Sequence, residues 1–356
     1  MIITGAKTTR ALLRKQVSRA AFSAMGTTSA SDSEVEAQMR PKLDPLRRQV
    51  TDFLKNTTQY EDQVKDTLQP YYYRAGERLR GYATEAGTDA YYRRSQYDEP
   101  HLEVHPTNFK TPFENMNLKI TSLGVGTYMG DPDDYTDFLM YDSIKTSVLS
   151  GGVNYIDTAP NYRYKKSEST VGRILTTLDN KYGITRDQLV VSTKGGYIPE
   201  DADKQISRSD EIRRIISDLK VPESDIVKES AHCMHPEFLR DQIEGSLARL
   251  NLETIDVYYL QNPYEGQGPY NTDNVFFDRL TATFEFLESQ VQAGKIRHYG
   301  MATYSCFRVK PNEGKMHLSL EKVMRLAEKV GGSDHHMRYL QVPINVMMPE
   351  AFIEPW

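Results

Sequence analysis

Cysteine, long apolar runs and charge imbalance are all scarce in this chain. Only two cysteines, Cys233 and Cys306, occur among 356 residues. They are too few and too far apart for a disulfide framework or a thiolate metal cage, and each reads as a buried structural thiol. No uninterrupted apolar stretch approaches the roughly 20 residues that a bilayer-spanning helix needs. The net charge of −5 gives no global attraction for nucleic acid. His232 with His235, and His335 with His336, are neighbours in sequence, but no cysteine or carboxylate cluster accompanies them, so no metal site is expected.

The first thirty residues, by contrast, carry cations without acids. Lys7, Arg10, Arg14, Lys15 and Arg19 are interleaved with Ala, Leu, Thr and Ser, and the first acid is Asp32. Wound as a helix, Leu12, Leu13, Val17 and Phe22 lie near one apolar stripe. An Arg- and Ser-rich, acid-poor amphipathic start is similar to a mitochondrial transit peptide spanning 1–31, which places the mature protein in the matrix. The competing reading is an ordinary basic tail.

Residues 32–115 form a second compositional zone. Leu46, Val50, Phe53, Thr57, Tyr60, Val64 and Leu68 recur at spacings of three and four, the mark of an amphipathic helix, with Pro45 and Pro70 at its ends. An Arg- and Tyr-rich piece follows, from Tyr71-Tyr72-Tyr73 to Tyr91-Tyr92-Arg93-Arg94. Two narrow apolar stripes do not close a core by themselves. The zone therefore reads as a docking arm for a protein partner, or as a solvated extension. Its basic–aromatic interleaving also suits RNA or a membrane surface, but Glu61, Asp62, Asp66, Glu77 and Glu85 balance the charge and weigh against that.

From 116 to 356 the rhythm is strand then helix. Strands are expected at Ile120–Gly126, Val153–Asp157, Leu189–Lys194, Thr254–Leu260, Ile296–Met301 and Tyr339–Asn345. Helices are expected at Tyr135–Ser150, Glu168–Lys181, Pro236–Leu250, Asp278–Ala293 and Leu318–Val330. Such alternation specifies a parallel α/β sheet with right-handed crossovers. The charged stretch from Pro199 to Glu229 is an insertion after the third strand, on the side where barrel loops shape substrate pockets.

Chemistry concentrates in Asp157-Thr158-Ala159-Pro160-Asn161-Tyr162 and in Val190-Val191-Ser192-Thr193-Lys194. At the ends of adjacent parallel strands these residues meet. An ammonium beside a phenol favours the phenolate, and a carboxylate holds the ammonium charged and in place. On these two motifs the chain resembles the aldo-keto reductases, TIM-barrel enzymes that use NADPH. The resemblance implies Tyr162 as proton donor, Lys194 as its pKa-lowering partner and Asp157 as the anchor of that lysine. It also implies a histidine after the fourth strand, where this sequence has Gln261, whose amide donates a hydrogen bond but does not titrate. For the nicotinamide end it points to Gly126, Thr127 and Tyr128, to Thr303, and to Gln341 and Asn345 on the sixth strand.

A closed barrel of this class needs eight strand–helix units, and six strands are legible here. The expected fold is thus a TIM (β/α)8-type barrel, truncated after about six strands and preceded by a helical extension. By resemblance, the absent units carry the grip on the cofactor phosphates, so weak or lost NADP(H) binding is expected. Open sheet edges and the N-terminal helices imply protein partners; a fold rearranged into a truncated form and an incomplete sequence of a longer gene are the competing explanations for the missing units. The leading functional expectation is a catalytically impaired accessory subunit of a larger mitochondrial assembly. The alternatives are an active NADP(H)-dependent carbonyl reductase and, behind it, an RNA- or ribosome-associated protein.

Overall fold

The computed structural model describes residues 78–111, 117–311 and 316–354. The expected transit peptide and the Leu46–Leu68 helix lie outside the described residues.

The chain first forms helix α1 (Glu85–Arg93) and the short antiparallel pair β1 (Phe109–Lys110) and β2 (Ile120–Thr121). Then come β3 (Val125–Gly126), α2 (Asp134–Leu149), β4 (Tyr155–Asp157), α3 (Lys166–Tyr182) and β5 (Val190–Gly195). The insertion contributes α4 (Arg208–Ser217) and β6 (Ile226–Val227), which pairs antiparallel with β7 (His232–Cys233) just beyond it. Next are α5 (Pro236–Leu250), β8 (Ile255–Gln261), α6 (Pro263–Gln267), α7 (Asp273–Gln292) and β9 (Ile296–Ala302). The described chain closes with α8 (Leu320–Gly331), β10 (Met337–Gln341) and α9 (Glu350–Ile353).

Six of these strands make one parallel sheet in the order β3-β4-β5-β8-β9-β10. Strand order follows chain order, as in a barrel wall built from successive right-handed units. Among the described residues, β3 and β10 each pair on one side only, so the wall has two edges. Its outer face carries Ile156, Val191, Tyr258, Leu260, Tyr299 and Met301 against the helices, where they meet Ile174, Leu247 and Phe284. The alternate residues Val190, Val257, Tyr259 and Ala302 form a separate inner cluster with Ala83. Burial on both faces explains why these strands read as near-continuous apolar runs.

Local chemistry sets the element ends. Asp133 accepts the Thr136 amide at 2.7 Å and starts α2. Pro236 sits at the first turn of α5, and Asn251 ends that helix in the left-handed region. Helices α3 and α5 pack so closely that a Cβ on Gly172 would lie 2.2 Å from the Arg249 carbonyl oxygen.

Three expectations need correction. The single strand expected at Ile120–Gly126 is two, because the Asn154 side chain takes the Thr121 amide at 2.9 Å and the Thr121 hydroxyl bonds the Leu123 carbonyl. Helix α7 begins five residues before the expected Asp278, at Asp273, since the Thr272 hydroxyl caps it. The last strand ends at Gln341 rather than Asn345. Pro343 lacks the amide a ladder requires, and Asn345 instead accepts the Met347 amide in an exposed turn.

Residues 79–84 are sewn into the N-terminal end of the barrel wall. The Leu79 amide bonds the Asn251 carbonyl, and the Ala83 amide bonds Asp256 Oδ1 at 2.7 Å. Tyr91 on α1 is fully buried and donates its hydroxyl to the Val148 and Val153 carbonyls. All described residues belong to one compact unit.

Candidate active site

Register brings the predicted acid residues together. Asp157 closes β4 opposite Ser192 of β5, and Lys194 lies two residues further along that strand on the same face. Lys194 is 1% exposed. Its Nζ donates to Asp157 Oδ2 at 2.6 Å and to the Thr158 carbonyl at 3.0 Å. Asp157 Oδ1 accepts the Ser192 hydroxyl at 2.7 Å, which fixes the carboxylate plane. Tyr162 lies beyond, its ring centroid 4.8 Å from Lys194 Nζ. Tyr128, exposed on the loop after β3, meets Tyr162 edge-on at 5.1 Å.

The electrostatics differ in one respect from expectation. Burial would push the Lys194 ammonium down, but Asp157 and Tyr162 outweigh it and hold its pKa above the ordinary value. At Tyr162 burial wins instead: it raises the phenol pKa, and Lys194 offsets only part of the rise. The lysine therefore moderates a desolvation cost rather than producing a net depressed phenol. Near neutral pH the pair is a charged ammonium and an intact phenol, the protonation state a proton donor needs.

Gln261 ends β8 in register with Ala302, which is itself opposite Gln341. Among the described residues the Gln261 side-chain amide has no hydrogen-bond partner, while its carbonyl accepts His232 Nε2 at 2.8 Å. His232 is fully buried, and its Nδ1 faces the Gln267 amide at 3.3 Å. This is a neutral core imidazole, and among the described residues no group of His, Cys, Asp or Glu could hold a metal.

The residues expected at the nicotinamide end are only partly gathered. Thr127 is buried, its hydroxyl bonded to the Thr158 hydroxyl at 2.8 Å and to the Asp157 carbonyl, so it braces the site. Gly126 pairs with Asp157 in the sheet. Thr303 is buried and its amide bonds the Gln341 carbonyl at 2.9 Å, which leaves Gln341 at the end of β10 facing the same level as Gln261. Asn345 stands apart, past the strand. Three cations on the adjoining loops are held by carboxylates: Lys165 by Asp201, Lys166 by Asp137, and Arg308 by Glu350. The described residues therefore offer polar groups for a carboxamide, while these three cations are engaged by carboxylates.

Sequence reasoning missed Ser192, Thr158 and the hydroxyl pair Tyr155–Tyr259 at 3.2 Å. Ser192 carried a signal, since it precedes Lys194 by two on one strand and so shares its face. The tyrosine pair lies on two strands separated by β5 and left none.

Burial drives the His232 pKa down to about 4, and that of His298 likewise to about 4. A depressed histidine stabilises the fold fully above the unfolded value near 6.5 and loses that contribution as pH falls toward 4. Stability should therefore decline between pH 6.5 and 4, by about 3 kcal/mol from His232 alone. Urea unfolding across that window checks this, and His232→Gln should flatten the slope.

A parallel wall of successive strands, with a lysine–carboxylate pair beneath a tyrosine at their C-terminal ends, is the arrangement of a TIM-barrel fold. The chain belongs to the Aldo/keto reductase family, whose sequence profile matches residues 122–320. It is 28% identical over 197 residues to the NADH-specific methylglyoxal reductase of Escherichia coli (strain K12), covering 54% of this chain and 51% of that protein. It is 33% identical over 131 residues to a D-threo-aldose 1-dehydrogenase of Pseudomonas sp, covering 34% of this chain and 33% of the other. The chain spans about half the length, or less, of the curated relatives it matches. Among solved structures, an aldo-keto reductase from Bacillus halodurans aligns at 20% identity and a TM-score of 0.42, over 66% of this chain and 57% of that one.

Proposed function

We propose that the chain keeps the proton-delivering half of a carbonyl-reducing site, with turnover impaired, and serves as a subunit of a larger mitochondrial assembly. The observation that carries the reading is the contrast within the site. Lys194 is gripped by Asp157 at 2.6 Å beneath Tyr162, while Gln261 supplies an amide where a titrating group is expected. The phenol can donate a proton to a carbonyl oxygen, and the ammonium stabilises the phenolate left behind. Gln261 can orient that oxygen by a hydrogen bond but cannot share its charge by titrating.

The subunit role is supported by apolar exposure beyond β10. Val346, Met347, Phe352 and Ile353 are all largely solvent-facing, which is unusual for so short a segment. The acid-free start with Lys7, Arg10, Arg14, Lys15 and Arg19 supports the organelle. Fractionation of native cells tests both: the chain should be found in the mitochondrial matrix, within a species much larger than its own 40.8 kDa. Recovery as a free monomer outside the organelle would defeat this reading.

The second reading, an active NADP(H)-dependent reductase of small aldehydes or sugar carbonyls, draws on the intact Asp157–Lys194 pair. The substrates named for the matched relatives suggest its class. Gln261→His separates the two. If only that residue limits the site, carbonyl reduction should rise by about a hundredfold, the lower end of a general acid–base contribution. An unchanged rate would place the impairment elsewhere, in the cofactor grip.

A further inference from the structure

Tyr162 is followed by three consecutive residues in the left-handed region: Arg163 (φ 50°), Tyr164 (φ 53°) and Lys165 (φ 74°). None is glycine, and for L-residues such a run persists only where the surroundings over-determine it. Arg163 supplies that constraint. Its Nε donates to the Asp131 carbonyl at 2.8 Å, and its Nη2 to the Asp133 carbonyl at 3.0 Å and to Asp137 Oδ1 at 2.6 Å. Both side chains of the ion pair are almost wholly buried, at 1% and 4% exposure.

Asp137 is the hub. It also accepts the Thr170 hydroxyl at 3.0 Å and pairs with Lys166 at 3.0 Å and Arg173 at 3.3 Å. Lys166 reaches on to Asp203, and Lys165 to Asp201, in the insertion after β5. The Ala202 amide bonds the Tyr164 carbonyl, closing the ring of contacts. Three loops beyond the C-terminal ends of β3, β4 and β5 are thereby tied together around the turn that carries Tyr162. The Tyr162 ring sits between Tyr128 on the first loop and Lys194 on the third strand.

We infer that Arg163 and Asp137 are positioning residues for Tyr162: their buried ion pair holds the left-handed turn that keeps the phenol over Lys194. This rests on the reading of Tyr162 as proton donor. A merely structural role would be to cement α2 onto α3, which are the elements bearing Asp137 and Lys166. The two roles differ in what relieves their loss. If Arg163 holds a disfavoured turn, glycine at the exposed neighbour Tyr164, which accepts that conformation freely, restores the turn without the ion pair.

The test is nitration of Tyr162 by tetranitromethane in the full chain, followed by peptide mass spectrometry, because the reagent attacks accessible phenolate. Burial holds this phenol above its ordinary pKa, so release to solvent makes phenolate more available. Arg163→Gln should raise the Tyr162 nitration rate, by about tenfold, because release from burial removes the main cause that holds the phenol up. Adding Tyr164→Gly should bring it back to within about twofold, the single Tyr164→Gly leaving it unchanged. A folded Arg163→Gln protein with an unaltered rate, or a double variant that shows no return, overturns the inference. Should Arg163→Gln fail to fold, Arg163→Lys, which keeps the charge but lacks the three-bond fork, carries the same comparison. Nitration is read without turnover, so a Tyr162→Phe protein that still reduces carbonyls would remove the donor reading and leave this result intact.

Discussion

Lys194→Met should lower the stability of the chain by about 3 kcal/mol and reduce any carbonyl reduction by about 10²- to 10⁴-fold. Both effects come from one atom. Nζ is the partner of Asp157 Oδ2 at 2.6 Å and of the Thr158 carbonyl at 3.0 Å, within a strand buried at every residue. Without it the carboxylate keeps, among the described residues, only the Ser192 hydroxyl. A charge stripped of its counter-charge in such a place costs several kcal/mol, moderated here because the Asp157 side chain retains 15% exposure. The Tyr162 phenol would also lose the group that offsets part of its burial, so its pKa should climb further. Denaturant unfolding and a steady-state assay read the two arms. A loss under 1 kcal/mol would show that the pair is solvated and not poised.

Asp256→Ala should be more damaging still, by about 3 to 5 kcal/mol, and it touches no catalytic group. Asp256 Oδ2 accepts Arg186 Nη2 at 2.6 Å and the Val191 amide at 2.8 Å, while Oδ1 accepts the Ala83 amide at 2.7 Å. One carboxylate thus joins the segment before α1, the start of β5 and the turn before it. Arg186 is 3% exposed along its side chain and would be left buried without its counter-charge. Since domains of this size are stable by only about 5–15 kcal/mol, the variant should show a much lower unfolding midpoint or little soluble protein. A midpoint near that of the unaltered chain would mean that residues 79–84 are held by other contacts.

How much of this was legible depends on the range of the forces involved. Helix α5 runs from Pro236 to Leu250 as expected, because a proline start and an Asn251 stop are local signals. The strand–helix alternation and the Asp157–Lys194 meeting follow from apolar runs and from the register of adjacent parallel strands. What escaped depends on tertiary packing. Asn154 divides the first expected strand through a bond to Thr121, 33 residues away. Asp137 meets Arg163 across 26 residues, and no spacing rule links a helix's first turn to a left-handed turn on another loop. The sign of the Tyr162 shift was illegible for the same reason. A lysine beside a phenol predicts a fall, and only the packed structure shows that desolvation outweighs it. At the cofactor end, Thr127 and Thr303 follow directly on β3 and β9, but whether a hydroxyl is free or already bonded is a property of the fold.

Titration of the purified chain with NADPH, followed by nucleotide fluorescence, addresses the central claim most directly. With Lys165, Lys166 and Arg308 already engaged by carboxylates, the account predicts no saturable binding at micromolar nucleotide and no aldehyde-dependent NADPH oxidation. Micromolar affinity together with turnover that vanishes in Tyr162→Phe would contradict it and establish a self-sufficient reductase.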